Sequence, residues 1–241
     1  MDNKNYEVYF DCGSSKIRAG AFNKENKNDS FHYESKFFSD HTNIETEIQK
    51  IISYLEKDTN EYLNDVNLMI DDQKMLSIGV SISKKLDGSK LKQEDVQFLA
   101  QEAKQQILKY YSNDNIIHII INNYKIDEVD YSYLPNGINC NFISLDILFI
   151  CLPNDLVLYF KNLFSKSNIL VNQIICSSYV KSIYYKDNLN LTGNVAFIDV
   201  GFNKTSIISY FNDKIMSLHI LQIGGNHITK DISIILKKDL K

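Results

Sequence analysis

Two strand–turn–strand segments of the same design lie far apart in this chain. The first is Tyr6-Glu-Val-Tyr-Phe-Asp-Cys-Gly-Ser-Ser-Lys-Ile-Arg-Ala-Gly-Ala-Phe22, the second Asn194-Val-Ala-Phe-Ile-Asp-Val-Gly-Phe-Asn-Lys-Thr-Ser-Ile-Ile-Ser-Tyr210. Each opens on an apolar run rich in β-branched and aromatic residues, passes through Asp-x-Gly, and enters a second β-rich run. Asp11-Cys12-Gly13 and Asp199-Val200-Gly201 hold equivalent places. A glycine turn lets backbone N–H groups approach a phosphate with no Cβ in the way. An Asp that closes the preceding strand suits the hydrated Mg²⁺ that accompanies polyphosphates. Either hairpin alone reads as an ordinary glycine turn. Two of them, from two subdomains, suit one polyphosphate held from both sides.

The remaining site candidates follow from the same chemistry. Gly13, Ser14, Ser15 and Lys16 offer turn amides, hydroxyls and a cation, with Arg18 as an alternative cation or Lys16 simply solvated. Asp11 and Asp199 are the metal candidates, and either can equally accept turn N–H bonds. Gly224-Gly225, before a final helical segment, lets backbone approach an anion near a helix N-terminus or simply makes a tight turn. The five histidines and four cysteines lack metal or nucleophile spacing, so free thiols and structural or surface histidines are expected.

The rest of the chain reads as an α/β protein. Segments 6–11, 17–22 and 31–38 form an antiparallel opening sheet. Thr42-x-x-Glu45 caps a helix to about Glu56, with Ile44, Ile48, Ile51 and Leu55 near one face. Strands follow at 66–70 and from Leu76 to Ile82. Val96, Leu99, Ala103 and Ile107 mark a helix over about 94–110, flanked by strands at 116–126 and 140–152. A helix over 155–164, a strand over 169–176 and a short helix over 177–185 come next. Strands 205–211 and 214–221 meet at a tight Asn212-Asp213 turn, and Asn226 caps the last helix.

At 241 residues the chain can bury a substantial core, and a net charge of −4 gives no reason to expect nucleic acid or anionic lipid as a partner. Met1-Asp-Asn-Lys-Asn carries no apolar leader, and apolar runs such as Ile143–Leu152 are too short to span a bilayer, so a cytoplasmic protein is expected.

Five stretches in order resemble the bacterial cell-division protein FtsA family of the actin/Hsp70/sugar-kinase superfamily. They are Asp11-Cys-Gly-Ser-Ser-Lys16 (the phosphate-1 turn), Leu91–Val96, Tyr124–Asp127, Asp199-Val-Gly201 (the phosphate-2 turn), and Gln222-Ile-Gly-Gly-Asn-His-Ile-Thr-Lys-Asp-Ile232. The resemblance implies an actin-like (ribonuclease-H-like) ATPase domain with an inserted α+β subdomain and only the start of the second actin-like domain. On that scheme 1–79 is the first part of subdomain 1A, 80–152 the 1C-type insert, 153–192 the return of 1A, and 193–241 the truncated second domain. On that scheme the family's adenosine loop and membrane-targeting helix are expected to fall outside this stretch of sequence.

ATP and Mg²⁺ are the implied cofactors, both expected to bind weakly if at all. The implied roles are Asp199 as catalytic residue, Asp11 and Asp199 at the metal, and Asp11, Gly13, Ser14, Ser15, Lys16, Gly201, Lys204, Gly224 and Gly225 at the nucleotide. The phosphate-2 turn departs from the family's Asp-x-Gly-Gly-Gly-Thr: Phe202 and Asn203 stand where small residues are usual. A Phe there is expected to crowd the γ-phosphate and resist glycine-like dihedrals, which argues against hydrolysis; Lys204 offers charge in place of lost amides.

A complete family member binds ATP, self-assembles, and links the FtsZ ring to the cytoplasmic face of the inner membrane at the division site. This chain is expected to keep self-association and contacts with late divisome proteins through the 1C-type insert. It is expected to lose FtsZ and membrane binding, and to show exposed apolar surface where the rest would pack. The alternatives are a PilM-like pilus-assembly scaffold that binds a peptide of a membrane partner, and a sugar-kinase-type phosphotransferase. The Gly-Gly-Asn run favours FtsA over the first; the insert and the lack of a substrate base argue against the second.

Overall fold

The computed structural model describes residues 5–26, 28–37, 44–135 and 137–238. Thr42, half of the expected capping box, lies outside them. The first hairpin forms as its alternation requires. β1 (Tyr6–Cys12) and β2 (Ile17–Asn23) pair antiparallel from Tyr6↔Asn23 to Cys12↔Ile17, and Val8, Phe10, Ile17, Ala19 and Ala21 turn inward. β3 (Ser30–Glu34) pairs antiparallel with β2. α1 (Ile44–Thr59) then covers this sheet with Ile44, Ile48, Ile51, Ile52 and Leu55, a 3.6-residue stripe. β4 (Asp65–Ile70) returns parallel to β1.

Between β4 and the rest of that sheet the chain builds a second layer. β5 (Leu76–Lys85), α2 (Gln93–Tyr110), β6 (Asp114–Ile126), β7 (Val129–Tyr131) and β8 (Phe142–Pro153) give a four-stranded sheet ordered β5-β8-β6-β7. β8 runs down its middle and is covered on both faces, which is why it reads as an almost unbroken apolar run. Ile143, Leu145, Ile147, Phe149 and Cys151 pack with Val96, Leu99, Ala103 and Ile107 of α2. Leu148, Ile150 and Leu152 join the main core instead. One strand thereby belongs to two cores.

α3 (Asn154–Ser165) leads into β9 (Leu170–Cys176), which lies parallel to β4 and completes the first sheet in the order β3-β2-β1-β4-β9. Phe10 and Phe164, both fully buried, meet edge to face at 5.1 Å inside it. α4 (Ser177–Asn188) follows without a loop. β10 (Val195–Val200), β11 (Thr205–Phe211) and β12 (Lys214–Leu221) form a separate antiparallel meander. Asn212 and Asp213 make its second turn with φ of 48° and 65°, the left-handed pair a two-residue hairpin needs. α5 (Gly225–Leu236) ends the described chain. The α/β fold with an inserted α+β layer is as the resemblance implies.

Asn226 does not cap α5. Gly224 is the N-cap, and the His227 Nδ1 accepts its N–H at 3.2 Å. No side chain of α5 is buried, and Ile232 and Ile235 stand 50% and 76% exposed on it. Such a patch favours association. The double substitution Ile232→Lys/Ile235→Lys should therefore reduce concentration-dependent light scattering and leave the melting temperature unchanged. Unaltered scattering would place the associating surface elsewhere.

Candidate functional site

The two Asp-x-Gly turns are built alike. Gly13 N–H donates to the Lys16 carbonyl at 3.0 Å, and Gly201 N–H to the Lys204 carbonyl at 2.8 Å. Each therefore closes a four-residue loop, 13–16 or 201–204, with its Asp one residue from the strand end, at Asp11↔Arg18 and Asp199↔Ser206. A Cβ on Gly13 would lie 2.8 Å from the Lys16 carbonyl oxygen, so that turn is closed to larger residues by contact and not by dihedral. The turns meet: Asn203 N–H donates to Ser14 Oγ at 3.3 Å. A cleft of about 310 Å³ opens beside them, lined by Asp11, Ser14, Asp71, Lys181, Asp199 and Lys204 among others.

Phe202 is accommodated without strain. None of residues 201–204 has a positive φ, so nothing there demands glycine dihedrals, contrary to the expectation from sequence. The ring lies against Phe37, edge to face at 4.9 Å, while bordering the cleft.

Charge in the cleft is balanced internally. Lys16 and Arg18 both pair with Glu34 of β3 and hold its carboxyl below the ordinary value. Lys204 Nζ donates to the Asp71 carbonyl oxygen. Lys181, one turn into α4, reaches Asp199 Oδ2 at 3.2 Å and Asp11 Oδ2 at 4.0 Å. Burial works to lower the Lys181 pKa, but the carboxylates of Asp11, Asp199 and Asp71 outweigh it and leave it raised. The two carboxylates singled out for Mg²⁺ thus face an ammonium. Among the described residues no three His, Cys, Asp or Glu side chains converge on a point that could hold a metal ion. Mg²⁺ is usually held by one or two carboxylates together with waters and phosphate oxygens, and here the two carboxylates it would use already have an ammonium between them.

Asp71 is the residue that reading the sequence missed. It directly follows β4, on the edge where β1, β4 and β9 all finish, the side on which parallel α/β sheets bind ligands. Its Oδ1 accepts from Ser178 N–H at 3.0 Å, Ser178 Oγ at 3.1 Å and Cys176 Sγ at 3.4 Å, and its Oδ2 from Ser206 Oγ at 3.3 Å. No side chain of α4's own N-cap does this job, so Asp71 caps that helix from another strand and ties it to the second hairpin. Ser177 Oγ adds a bond to Asp11 Oδ1 at 3.2 Å. The acid at the end of an apolar strand, Ile70-Asp71, was the available signal.

His118 of β6 also touches this junction, its Nε2 accepting Cys176 N–H at 2.9 Å. Burial lowers its pKa from the ordinary 6.5, so the folded state favours the neutral, accepting ring. The unfolded chain then takes up the proton first as pH falls. Stability is fully present above about 6.5 and declines as the pH drops through the folded value. His118→Gln should flatten that decline in denaturant melts between neutral and mildly acid pH; an unchanged slope would rule His118 out as its source. All four cysteines are free and buried, and burial pushes the Cys176 thiol up to about 12.

Gly224 and Gly225 meet the phosphate-2 turn. Gly225 N–H donates to the Gly201 carbonyl and Asn226 N–H to the Phe202 carbonyl, each at 2.9 Å. Two of the helix's first amides are therefore engaged within the protein. Asn226 Nδ2 adds a bond to Asn203 Oδ1 at 3.0 Å.

Comparison with known proteins bears on this geometry. Residues 196–241, which hold the phosphate-2 turn and the entry to α5, match the family model for the cell division protein FtsA. The cell division protein FtsA of Buchnera aphidicola subsp. Schizaphis graminum (strain Sg) is 26% identical over 142 residues, 58% of this chain and 33% of that protein. The chain thus spans about a third of the length of the curated relative it matches. The resemblance to FtsA first carried by the motifs is shown by both matches. Among solved structures, the PilM-PilN type IV pilus biogenesis complex superposes with a TM-score of 0.63 at 10% identity, covering 97% of this chain and 66% of that one. It shows a shared fold. A protein from Bacteroides thetaiotaomicron with an actin-like ATPase fold lies further off, at a TM-score of 0.49, 11% identity, and 99% and 81% coverage.

Proposed function

We propose that this chain is an actin-like cell-division protein of the FtsA type whose paired hairpins bind the polyphosphate of a nucleotide such as ATP. The observation that carries this is the meeting of two identically closed Asp-x-Gly turns, Gly13–Lys16 and Gly201–Lys204, over one cleft. The family match on 196–241 covers the second of those turns, which supports the cell-division assignment. In this proposal the Ser14, Ser15 and Lys16 amides, the serine hydroxyls and Lys204 hold phosphate oxygens, while Gly13 and Gly201, whose own N–H groups close the two turns, line the cleft and let a phosphate approach with no Cβ in the way. Asp199, the catalytic candidate, has its carboxylate on Lys181, so binding is placed ahead of hydrolysis.

Self-association, contacts with later division proteins through the α2 layer, FtsZ linkage and a position at the cytoplasmic face of the membrane belong to the same proposal. No described helix is long and apolar enough to cross a membrane. Titration of ATP by calorimetry tests the core of it. Binding is expected, weakened about tenfold by Lys204→Ala, which removes one charge-assisted contact. Absence of binding, or indifference to Lys204, would overturn it.

The fold shared with the PilM-PilN complex favours a second possibility, a scaffold that docks a short peptide of a membrane partner. Peptide capture that persists in the Lys204→Ala variant, with no ATP binding by the unaltered chain, would select it.

A further inference from the structure

We propose that Lys181 is the resident cation of the phosphate cleft and that the cleft holds its polyphosphate without a divalent metal ion. This rests on the nucleotide-binding function proposed above and specifies how that ligand is neutralised.

The geometry leads there step by step. Asp11 and Asp199 occupy equivalent positions in the two hairpins and converge from opposite sides of the cleft. What stands between them is the Lys181 ammonium, 3.2 Å from Asp199 Oδ2 and 4.0 Å from Asp11 Oδ2. The other oxygen of Asp11 is turned away, held by Ser177 Oγ at 3.2 Å. Ser177 and Lys181 lie four residues apart on α4, one turn of the helix, so a single face presents both groups to Asp11. The helix itself cannot easily slide. Asp71 pins Ser178 at its start, and Ser182 Oγ meets Tyr210 Oη of β11 at 2.8 Å further along.

A divalent ion placed between the two carboxylates would face that ammonium at contact range and would have to displace it first. Like charges so close repel strongly where water is partly excluded. Water and phosphate oxygens could complete a Mg²⁺ shell, but the ground around the two carboxylates is cationic: Lys181 itself, Lys204 on the Asp71 carbonyl, and Arg18 opposite Asp11. An ammonium, by contrast, donates three bonds and can turn one toward a phosphate oxygen while keeping its carboxylates. Lys181 is half-buried and lines the cleft, and thermal melts of its variants check that the fold is kept.

The test has two arms. In the first, ATP and inorganic tripolyphosphate are titrated into the unaltered protein, Lys181→Met and Lys181→Arg, each with Mg²⁺ and with EDTA. Affinity of the unaltered protein and of Lys181→Arg should be the same in both buffers. Lys181→Met should lose about tenfold in EDTA, a change of ~1.4 kcal/mol. A tenfold loss in EDTA by the unaltered protein, or no loss by Lys181→Met, would overturn the proposal. In the second arm, Mn²⁺ alone is followed by electron paramagnetic resonance. The unaltered protein should leave millimolar Mn²⁺ free, while Lys181→Met should take it up and Lys181→Met/Asp199→Asn should not. Mn²⁺ bound by the unaltered protein and lost in Asp199→Asn would overturn the proposal even if no polyphosphate binds. Absence of polyphosphate binding with the expected Mn²⁺ result would instead sink only the nucleotide-binding function.

Discussion

Gly224→Ala should destabilise the protein by about 3 kcal/mol, the upper range for forcing atoms into packed space. At this chain length that lowers the melting temperature by roughly 6–12 °C. The cause is contact alone. Gly224 sits at φ −145°, ψ −175°, extended backbone that alanine adopts freely. A Cβ there would nevertheless lie 2.5 Å from the carbonyl oxygens of both Gly201 and Phe202. Those are backbone atoms of the phosphate-2 turn, unable to swing aside as a side chain would. Relief requires the turn and the helix to part, which breaks the bonds from Gly225 and Asn226 to the same two carbonyls. Gly225→Ala is the control. Its nearest neighbour is the Gly201 oxygen at 3.8 Å, an ordinary contact, and alanine suits the first helical position. Thermal melts of the pair should separate clearly; equal melting temperatures would mean that the turn yields without resistance.

Asp71→Ala should be of similar size, about 3 kcal/mol in denaturant titration. Four donors lose their acceptor at once: Ser178 N–H, Ser178 Oγ, Cys176 Sγ and Ser206 Oγ. Bonds to a charged acceptor are worth roughly 1.5–3 kcal/mol each, and a helix cap about 1, but losses at one site are not additive. Asp71→Asn separates the terms. Its carbonyl oxygen can still take the Ser178 bonds, and its amide can donate to Ser206 Oγ, so about half of the stability should return. Loss by Asp71→Asn as great as by Asp71→Ala would show that the charge, and not the geometry of acceptance, holds α4. Phosphate affinity should fall with Asp71→Ala as well, because α4 carries Lys181 and its start anchors Asp11.

Much of this was legible in the residues. The hairpins declare themselves through alternation up to an Asp-x-Gly turn, and α1 and α2 through buried residues at three- and four-residue spacing. β8 was visible as an apolar run, although only the fold explains it, since each face of that strand serves a different core. β7 was not legible. The turn into it is Asp127-Glu128, with φ of 44° and 73°, left-handed without glycine or asparagine, and held because Asp127 Oδ1 accepts Asn141 N–H and Phe142 N–H from across the sheet.

The site was half legible for a related reason. Asp11, Gly13, Asp199 and Gly201 follow from local turn chemistry, which a sequence records. Asp71, Lys181 and His118 matter through contacts with segments far away in the chain, which a sequence records only as an acid, a lysine and a histidine. Gly224 was noticed for its freedom of backbone, yet its position is dictated by two carbonyls some twenty residues upstream.

The most direct measurement is a titration of ATP into uniformly ¹⁵N-labelled protein, following the backbone amides of Gly13–Lys16 and Gly201–Lys204 by NMR. If the two turns form one phosphate cleft, both sets of amides shift together along a single saturation curve. Movement of one turn without the other, or of neither while peaks elsewhere respond, would contradict the account.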